Sequence, residues 1–220
     1  MNRPVSTDAA APRKGRFIVL EGIDGAGKST HLDFVCATLE RHCGRAVVRT
    51  REPGGTPLGE SIRSLLLGQS VDGKDIDGET ETLLAFAARR AHVQGLIGPM
   101  LREGRWVVSD RYTDSTRAYQ GGGAGVDSDW IESLAQKIEA DCIPDRVYVF
   151  DLPADQAAHR RNGRNPSMDR FESRSCEYFE RVRTVYLRQA QRHPGRYRII
   201  DARLSVDQIR VELEKDILTI

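Results

Sequence analysis

The chain reads Gly22-Ile23-Asp24-Gly25-Ala26-Gly27-Lys28-Ser29 close to its first residues, and this stretch fits the pattern G-x-x-x-x-G-K-[ST] at every fixed position. The apolar run before it, Arg16 to Glu21, is typical of a buried parallel strand. The run after it, Thr30 to Leu39, spaces its apolar residues as a helix does. Because strand, turn and helix follow in the order that the pattern needs, we interpret the stretch as a phosphate-binding loop rather than a chance glycine-rich turn.

The chemistry of this loop predicts a nucleoside triphosphate bound with Mg²⁺. Glycines allow backbone angles that turn successive N–H groups inward, and the following helix adds its positive N-terminal end. We expect Lys28 to place its charge near the β- and γ-phosphates and the Ser29 hydroxyl to ligate Mg²⁺. The predicted ATP-binding residues are Gly22, Ile23, Asp24, Gly25, Ala26, Gly27, Lys28, Ser29 and Thr30.

Length and composition favour one α/β domain, although two small domains would also fit into 220 residues. The net charge is +1 and both signs are interspersed, so nucleic acid is not an expected partner. Since no apolar run approaches the ~18 residues of a membrane span, no membrane association is expected. Residues 1–14 are polar and lack the apolar core of a signal peptide, which predicts a disordered leader before a domain of residues 15–220.

The cysteines favour a reduced, cytoplasmic protein. None of the four forms a C-x-x-C pair, so small reduced side chains are favoured over metal ligands or disulfides. The four are Cys36, Cys43, Cys142 and Cys176.

Apolar strand-like runs alternate with helical patterns along the whole chain. Five strands, each followed by a helix, predict one five-stranded parallel sheet with helices on both faces. The expected strands are Arg16–Glu21, Ala46–Thr50, Trp106–Asp110, Arg146–Asp151 and Tyr197–Asp201. The longest predicted helices are Glu79–Glu103 and Phe171–Gln191, and Gly121–Gly125 is expected to be a flexible loop.

Ligands of open parallel sheets bind at the carboxyl ends of the strands, and arginines follow three of the predicted strands. They include Arg51, Arg111 and the group Arg160, Arg161 and Arg164. So many guanidinium groups indicate more phosphate than one triphosphate carries, which favours a second phosphorylated substrate.

Asp110 ends the third predicted strand and is expected to hold Mg²⁺ through water. No second acidic residue directly follows it, and a hydrolase usually needs such a carboxylate to activate water. A kinase whose acceptor is already a phosphate does not need a strong base, so phosphoryl transfer is favoured over hydrolysis.

Four strings of residues resemble the thymidylate kinase (dTMP kinase) family, and the similarity covers all but the leader. The strings are Glu-Gly-Ile-Asp-Gly-Ala-Gly-Lys-Ser-Thr, Thr-Arg-Glu-Pro-Gly-Gly-Thr, Phe-Ala-Ala-Arg-Arg and Asp-Arg-Tyr-x-x-Ser-Thr-x-Ala-Tyr-Gln. The resemblance implies a P-loop NTPase-like fold with a mobile lid. It also implies transfer of the γ-phosphoryl group from ATP to dTMP with Mg²⁺, for dTTP biosynthesis, by a protein that is usually a homodimer.

The resemblance also implies roles for individual residues. Phe86 would stack on thymine, Arg90 would reach the base edge, and Thr116 and Gln120 would contact the base and its surroundings. Tyr119 would crowd the position of a ribose 2′-OH, and Asp24 would accept a bond from the 3′-OH. Arg111 would hold the dTMP phosphate with help from Arg51. The predicted catalytic residues are Lys28, Arg111, Arg161 and Arg164, and the predicted metal ligands are Ser29 and Asp110.

One position separates two branches of that family. One branch carries an arginine in the phosphate loop where this chain has Gly25, whereas the branch typical of bacteria supplies arginines from a lid. The resemblance therefore implies the lid-arginine branch, with the lid at about 160–170 and Arg161 and Arg164 as the favoured catalytic pair.

Three other interpretations stay open from the residues. The first is a kinase for dUMP, dCMP or AMP, and the second is a nucleotide-binding regulator without catalysis. The third, a hydrolytic P-loop ATPase, lacks a water-activating carboxylate.

Overall fold

The computed structural model describes residues 15–68, 75–140, 142–162, 171 and 174–220. A five-stranded sheet of order β2-β3-β1-β4-β5 lies at its centre, and all its pairings are parallel. The strands are β1 (Phe17–Glu21), β2 (Val48–Arg51), β3 (Val107–Asp110), β4 (Arg146–Asp151) and β5 (Tyr197–Asp201). The predicted sheet is therefore confirmed, and the predicted bounds of β4 and β5 coincide with the observed ones.

Helical segments connect the strands. They are α1 (Lys28–Cys43), α2 (Pro57–Leu67), α3 (Gly78–His92), α4 (Gly98–Arg102), α5 (Thr113–Thr116), α6 (Ser128–Glu139), α7 (Ala154–Asn162), α8 (Cys176–Arg192) and α9 (Val206–Ile217). Two further segments, Val93–Ile97 and Arg117–Gly123, are π-helical. All five residues of β1 are buried, and because side chains of a strand alternate between faces, both faces of the sheet are covered there.

One predicted helix is less regular than expected, and another begins later than expected. The predicted helix Glu79–Glu103 agrees closely with the continuous helical stretch from Gly78 to Arg102, but it contains the π-helical segment Val93–Ile97, which apolar periodicity does not reveal. The predicted helix Phe171–Gln191 begins only at Cys176, where the hydroxyl of Ser175 caps it by accepting from the N–H of Tyr178.

The prediction of a flexible loop at Gly121–Gly125 was also wrong. Gly121 to Gly123 belong to the π-helical segment that packs against α8. A Cβ atom at Gly122 would lie 2.5 Å from Cγ2 of Val185, and one at Gly123 would lie 2.5 Å from the Tyr178 ring. These glycines therefore allow close packing between two helical segments rather than motion.

Four further predictions concern the cysteines, membrane association, the N-terminal leader and the lid. The four cysteines are free. Within the described ranges, no helix has both the length and the apolar character to cross a membrane. The predicted leader at 1–14 and most of the predicted lid, residues 163–170, lie outside the described residues.

Candidate active site

The phosphate loop turns at the carboxyl end of β1 and runs into α1. Gly22 has φ 136°, and a Cβ atom there would lie 2.5 Å from the carbonyl oxygen of Phe150. Gly25 has φ 90°, and its Cβ atom would lie 2.5 Å from the carbonyl oxygen of Ala157 in α7. The second contact explains why no side chain, and hence no arginine, fits at this position of the loop.

Lys28 is folded back into the loop that it follows. Its Nζ donates to the carbonyl oxygens of Gly22 at 2.8 Å and Ile23 at 3.1 Å. Burial, reinforced by the nearby positive charge of Arg111, lowers the pKa of Lys28. Its ammonium therefore lies at the centre of the loop, where the phosphate chain of a nucleotide binds in this class of loop.

Asp24 joins the phosphate loop to the strand beside it. Its carboxylate accepts from Nη2 of Arg111 at 2.5 Å and from the hydroxyl of Tyr119 at 2.7 Å. Burial alone would raise the pKa of Asp24, but the charges of Arg111 and Lys28 outweigh it and hold that pKa well below its usual range. The guanidinium of Arg111 also lies over the Tyr119 ring, 4.9 Å from its centroid. An ionised Asp24 thus anchors Arg111 at the edge of the loop.

The backbone at Arg111 is itself held in an unusual conformation, with φ 75°. Buried Glu21, the last residue of β1, accepts from the N–H of Tyr112 and from the hydroxyl of Ser115, both at 2.7 Å. Burial, with the nearby charge of Asp114, raises the pKa of Glu21 to about 7. Glu21 therefore supports the strained turn that directs Arg111 toward Asp24.

A second polar cluster lies beside the first. Nε of Arg89 donates to Oε2 of Glu52 at 2.7 Å, and Nη1 donates to the Thr116 hydroxyl at 3.0 Å. The other oxygen of Glu52 lies 2.9 Å from Nδ1 of His92, whose Nε2 lies 2.6 Å from the Thr50 hydroxyl. Each of these side chains is buried, so the charge of Arg89 is balanced inside the protein.

A pocket lies between these clusters. It is lined by Asp24, Glu52, Pro53, Arg63, Leu66, Leu67, Glu81, Ala85, Arg89, Arg111, Ser115, Thr116, Tyr119, Gln120 and Phe171. Five predicted substrate residues are brought together there: Asp24, Arg111, Thr116, Tyr119 and Gln120. The pocket is bounded by the phosphate loop on one side and by α3 on the other, which suits an acceptor beside a bound nucleotide.

The prediction for α3 placed the wrong pair at the pocket. Ala85 and Arg89 line it. Phe86 is buried, and Cζ of Arg89 lies over its ring, 5.0 Å from the ring centroid. Arg90 is half-buried outside the lining. Both pairs are four residues apart, so helical spacing alone could not distinguish them.

The position of the Arg51 side chain also differs from the predicted one. Its side chain is exposed and donates to Oε2 of Glu60 at 2.8 Å and to the carbonyl oxygen of Pro53 at 3.0 Å. Arg51, the last residue of β2, is thus directed to the first turn of α2 and not into the pocket.

The arginines at the end of α7 lie against the phosphate loop. Nη1 of Arg161 donates to the backbone oxygen of Asp24 at 2.8 Å, and its guanidinium lies over the Phe179 ring, 4.1 Å from the centroid. Nη2 of Arg160 donates to the carbonyl oxygen of Ala202 at 2.9 Å. Arg164, the other predicted catalytic arginine, lies outside the described residues.

The predicted metal ligands fit a magnesium ion held mainly through phosphate and water. Oδ1 of Asp110 is buried and has no hydrogen-bond partner within the described part of the chain, which leaves it able to accept from a metal-bound water. The Ser29 side chain is exposed at the first turn of α1. Among the described residues, no cluster of three or more His, Cys, Asp or Glu side chains could hold a metal ion alone. The donor set therefore suits Mg²⁺ bound together with a nucleotide.

Sequence reasoning missed several polar residues of the pocket. Glu52 and Arg89 belong to the quoted strings but were given no role, and Glu81 is part of an otherwise ordinary helical pattern. No local signal singles them out, because the acidic and basic residues of α3 stand on either side of its apolar stretch, as in an ordinary helix.

A parallel sheet with a phosphate loop at the end of its central strand and a second polar pocket beside that loop defines a P-loop phosphotransferase. The model of the thymidylate kinase family matches residues 20–213. The chain belongs to the thymidylate kinase family. The reaction of that family, transfer of the γ-phosphoryl group from ATP to dTMP, is the activity of this chain, and the prediction is confirmed.

Individual relatives agree with this assignment. A thymidylate kinase of Cupriavidus metallidurans is 50% identical over 208 residues, which cover 94% of this chain and 100% of that protein. A thymidylate kinase of Bordetella petrii is 49% identical over 205 residues, which cover 93% of this chain and 95% of that protein. A crystal structure of thymidylate kinase from Ehrlichia chaffeensis matches with a TM-score of 0.73 and 33% identity, covering 92% of this chain and 98% of that chain.

Proposed function

We propose that ATP binds with Mg²⁺ on the phosphate loop and that dTMP binds in the pocket between Asp24 and α3. The observation that carries this arrangement is the position of Arg111, which is bonded to Asp24 of the loop while it lines the pocket. A guanidinium at that junction lies between donor and acceptor, where charge builds up during phosphoryl transfer. Bound Mg²⁺ would neutralise charge on the phosphates, with Ser29 and Asp110 as its protein partners.

In the pocket, each end of the nucleotide meets a different kind of residue. Arg111 would hold the acceptor phosphate, and the donors of Arg89 would face the base edge in place of the predicted Arg90. Tyr119 is fixed through its hydroxyl to Asp24, so its ring forms a rigid wall that would disfavour a ribose 2′-OH. Asp24 would accept from the 3′-OH.

We further assign the chain to the branch that supplies arginines from a lid. The close approach of Gly25 to α7 supports this, because an arginine in the loop has no room. Arg161 already contacts the loop, so a small shift of its side chain would bring its charge over the transferring group. Arg164 is proposed as its partner.

We also propose that the protein forms a homodimer in the cytoplasm. Three leucines on the neighbouring helices α2 and α3 are more than half exposed, a set that a second copy could cover. They are Leu58, Leu65 and Leu83, at 58%, 52% and 52% exposure. Sedimentation of the purified chain, compared with a Leu83→Glu variant, tests this point, and a monomeric wild-type chain would contradict it.

The decisive experiment is a coupled assay of ADP release with ATP, Mg²⁺ and one of dTMP, dUMP, dCMP, dGMP or AMP. We expect turnover of about 1–100 s⁻¹ with dTMP and much slower turnover with the others. Omission of Mg²⁺ should abolish it. Equal rates with all acceptors would contradict the proposed arrangement of the pocket, and no turnover with any acceptor would contradict the phosphotransferase itself.

A further inference from the structure

Gln120 reaches the pocket from the π-helical segment, and its amide is tied to a carboxylate. Nε2 of Gln120 donates to Oε2 of Glu81 at 3.0 Å. Both residues line the pocket, yet Glu81 is only 2% exposed and Gln120 only 6%. The pair is therefore largely buried in the wall of the pocket.

The hydrogen bond between these two side chains fixes the orientation of the Gln120 amide. A carboxylate only accepts hydrogen bonds, whereas an amide has one end that donates and one that accepts. If the amide of Gln120 were reversed, its carbonyl oxygen would face Glu81 and two buried acceptors would oppose each other, which is strongly unfavourable. Glu81 therefore holds the NH₂ end and leaves Oε1 as the polar atom that Gln120 can offer to a ligand.

Arg89 presents hydrogen-bond donors to the same pocket. A guanidinium has donors only, and Glu52 and Thr116 fix it in place. Gln120 and Arg89 thus present an enforced acceptor and an enforced donor to the pocket. Thymine has an N3–H donor next to an O4 acceptor, which matches this pair. Cytosine has an N3 acceptor next to an N4 amino donor, which opposes it at both positions.

We propose that Glu81 is a positioning residue that sets the base specificity of the acceptor site by fixing the Gln120 amide. This inference rests on the proposed binding of dTMP in this pocket. It concerns discrimination against cytosine and not the rate of the phosphoryl step, because Glu81 acts through its bond to the Gln120 amide.

The test is Glu81→Gln, which keeps the shape of the side chain but can either donate or accept. Gln120 is then free to reverse, so the ratio of kcat/KM for dTMP to kcat/KM for dCMP should fall by about tenfold or more. The KM for ATP should stay unchanged. Glu79→Gln is the matched control, since it makes the same change at an exposed site in the same helix and should leave the ratio unaltered.

A reciprocal variant separates positioning from mere structural support. In Glu81→Gln/Gln120→Glu the carboxylate faces the pocket and the new amide holds it, so an enforced acceptor is restored. We expect the discrimination against dCMP to recover in this double variant even where the overall rate does not. Unfolding temperatures of all variants would be measured alongside, and the double variant remains informative if Glu81→Gln folds poorly.

Two results would overturn the inference. One is an unchanged dTMP-to-dCMP ratio in Glu81→Gln, and the other is equal loss of both activities without recovery in the double variant. Failure of the wild-type chain to use dTMP would instead overturn the proposed function, so the two failures are distinguishable.

Discussion

Nε of Arg89 lies 2.7 Å from Oε2 of Glu52, and both side chains are 3% exposed. The ion pair connects α3 to the end of β2 beneath the pocket. Further bonds run from Arg89 to the Thr116 hydroxyl and to the backbone oxygen of Tyr112. A buried pair of this kind contributes little net stability compared with apolar packing, but loss of one partner leaves a buried charge uncompensated.

Removal of the negative charge at this pair should therefore affect both stability and acceptor binding. We expect Glu52→Gln to lower the free energy of unfolding by about 3–5 kcal/mol and to raise the KM for dTMP more than the KM for ATP. Urea unfolding and steady-state kinetics measure the two effects. Asp33→Asn is the matched control, because it breaks an exposed pair with Arg49 and should cost at most about 1 kcal/mol. Equal costs for the two variants would contradict this account.

Arg111 should not tolerate replacement by lysine. Its guanidinium bonds to Asp24, Gly22 and Ser115 at once, and a single ammonium cannot reproduce this planar set of donors. We expect Arg111→Lys to lower kcat/KM for dTMP by about 10²-fold, with little change in ATP affinity. A loss of less than about threefold in kcat/KM would show that charge alone suffices there.

The raised pKa of Glu21 predicts a pH-dependent stability. As the pH rises from 4.5, the unfolded chain loses this proton before the folded chain does, whose pKa is about 7. The folded state then binds more protons than the unfolded state, so the contribution of Glu21 to stability falls as pH rises through this window. Compared with Glu21→Gln, which does not titrate, the wild-type chain should lose unfolding free energy between pH 4.5 and 7.

Urea unfolding of both chains at several pH values measures this difference. Glu79→Gln, at an exposed position, provides the baseline for an ordinary carboxyl. A wild-type-minus-variant difference that is constant across the window would mean that the folded pKa of Glu21 is not raised.

The arginines of α7 and the residues after it are the proposed source of catalytic charge. Alanine at Arg161 or Arg164 should reduce kcat by about 10²–10³-fold, whereas Arg160→Ala should have a smaller effect because Arg160 bonds to Ala202 instead of the loop. Single-turnover measurements separate the chemical step from product release. If all three variants keep kcat within about threefold, the lid-arginine assignment is wrong.

Most of the fold was predictable because the relevant signals are local. The phosphate-loop pattern, the buried apolar runs and the helical periods each extend over short stretches, and together they predict a parallel α/β sheet with the loop after β1. The errors were the start of α8 and the glycine run Gly121–Gly125, and the π-helical segment Val93–Ile97 was not predicted. A glycine run is compatible with a flexible loop or with close packing, and only the neighbouring α8 decides between them.

The sequence by itself determined the phosphate loop, the order of the strands along the chain and the residues that resemble the thymidylate kinase family. Only the tertiary structure decided that Arg89 rather than Arg90 faces the pocket, that Arg51 bonds to Glu60, and that Glu81 holds the Gln120 amide. The physical reason is that a helical step of one residue rotates a side chain by about 100°. Which of two neighbouring arginines is paired and buried therefore depends on carboxylates distant in sequence, such as Glu52, and not on the local pattern.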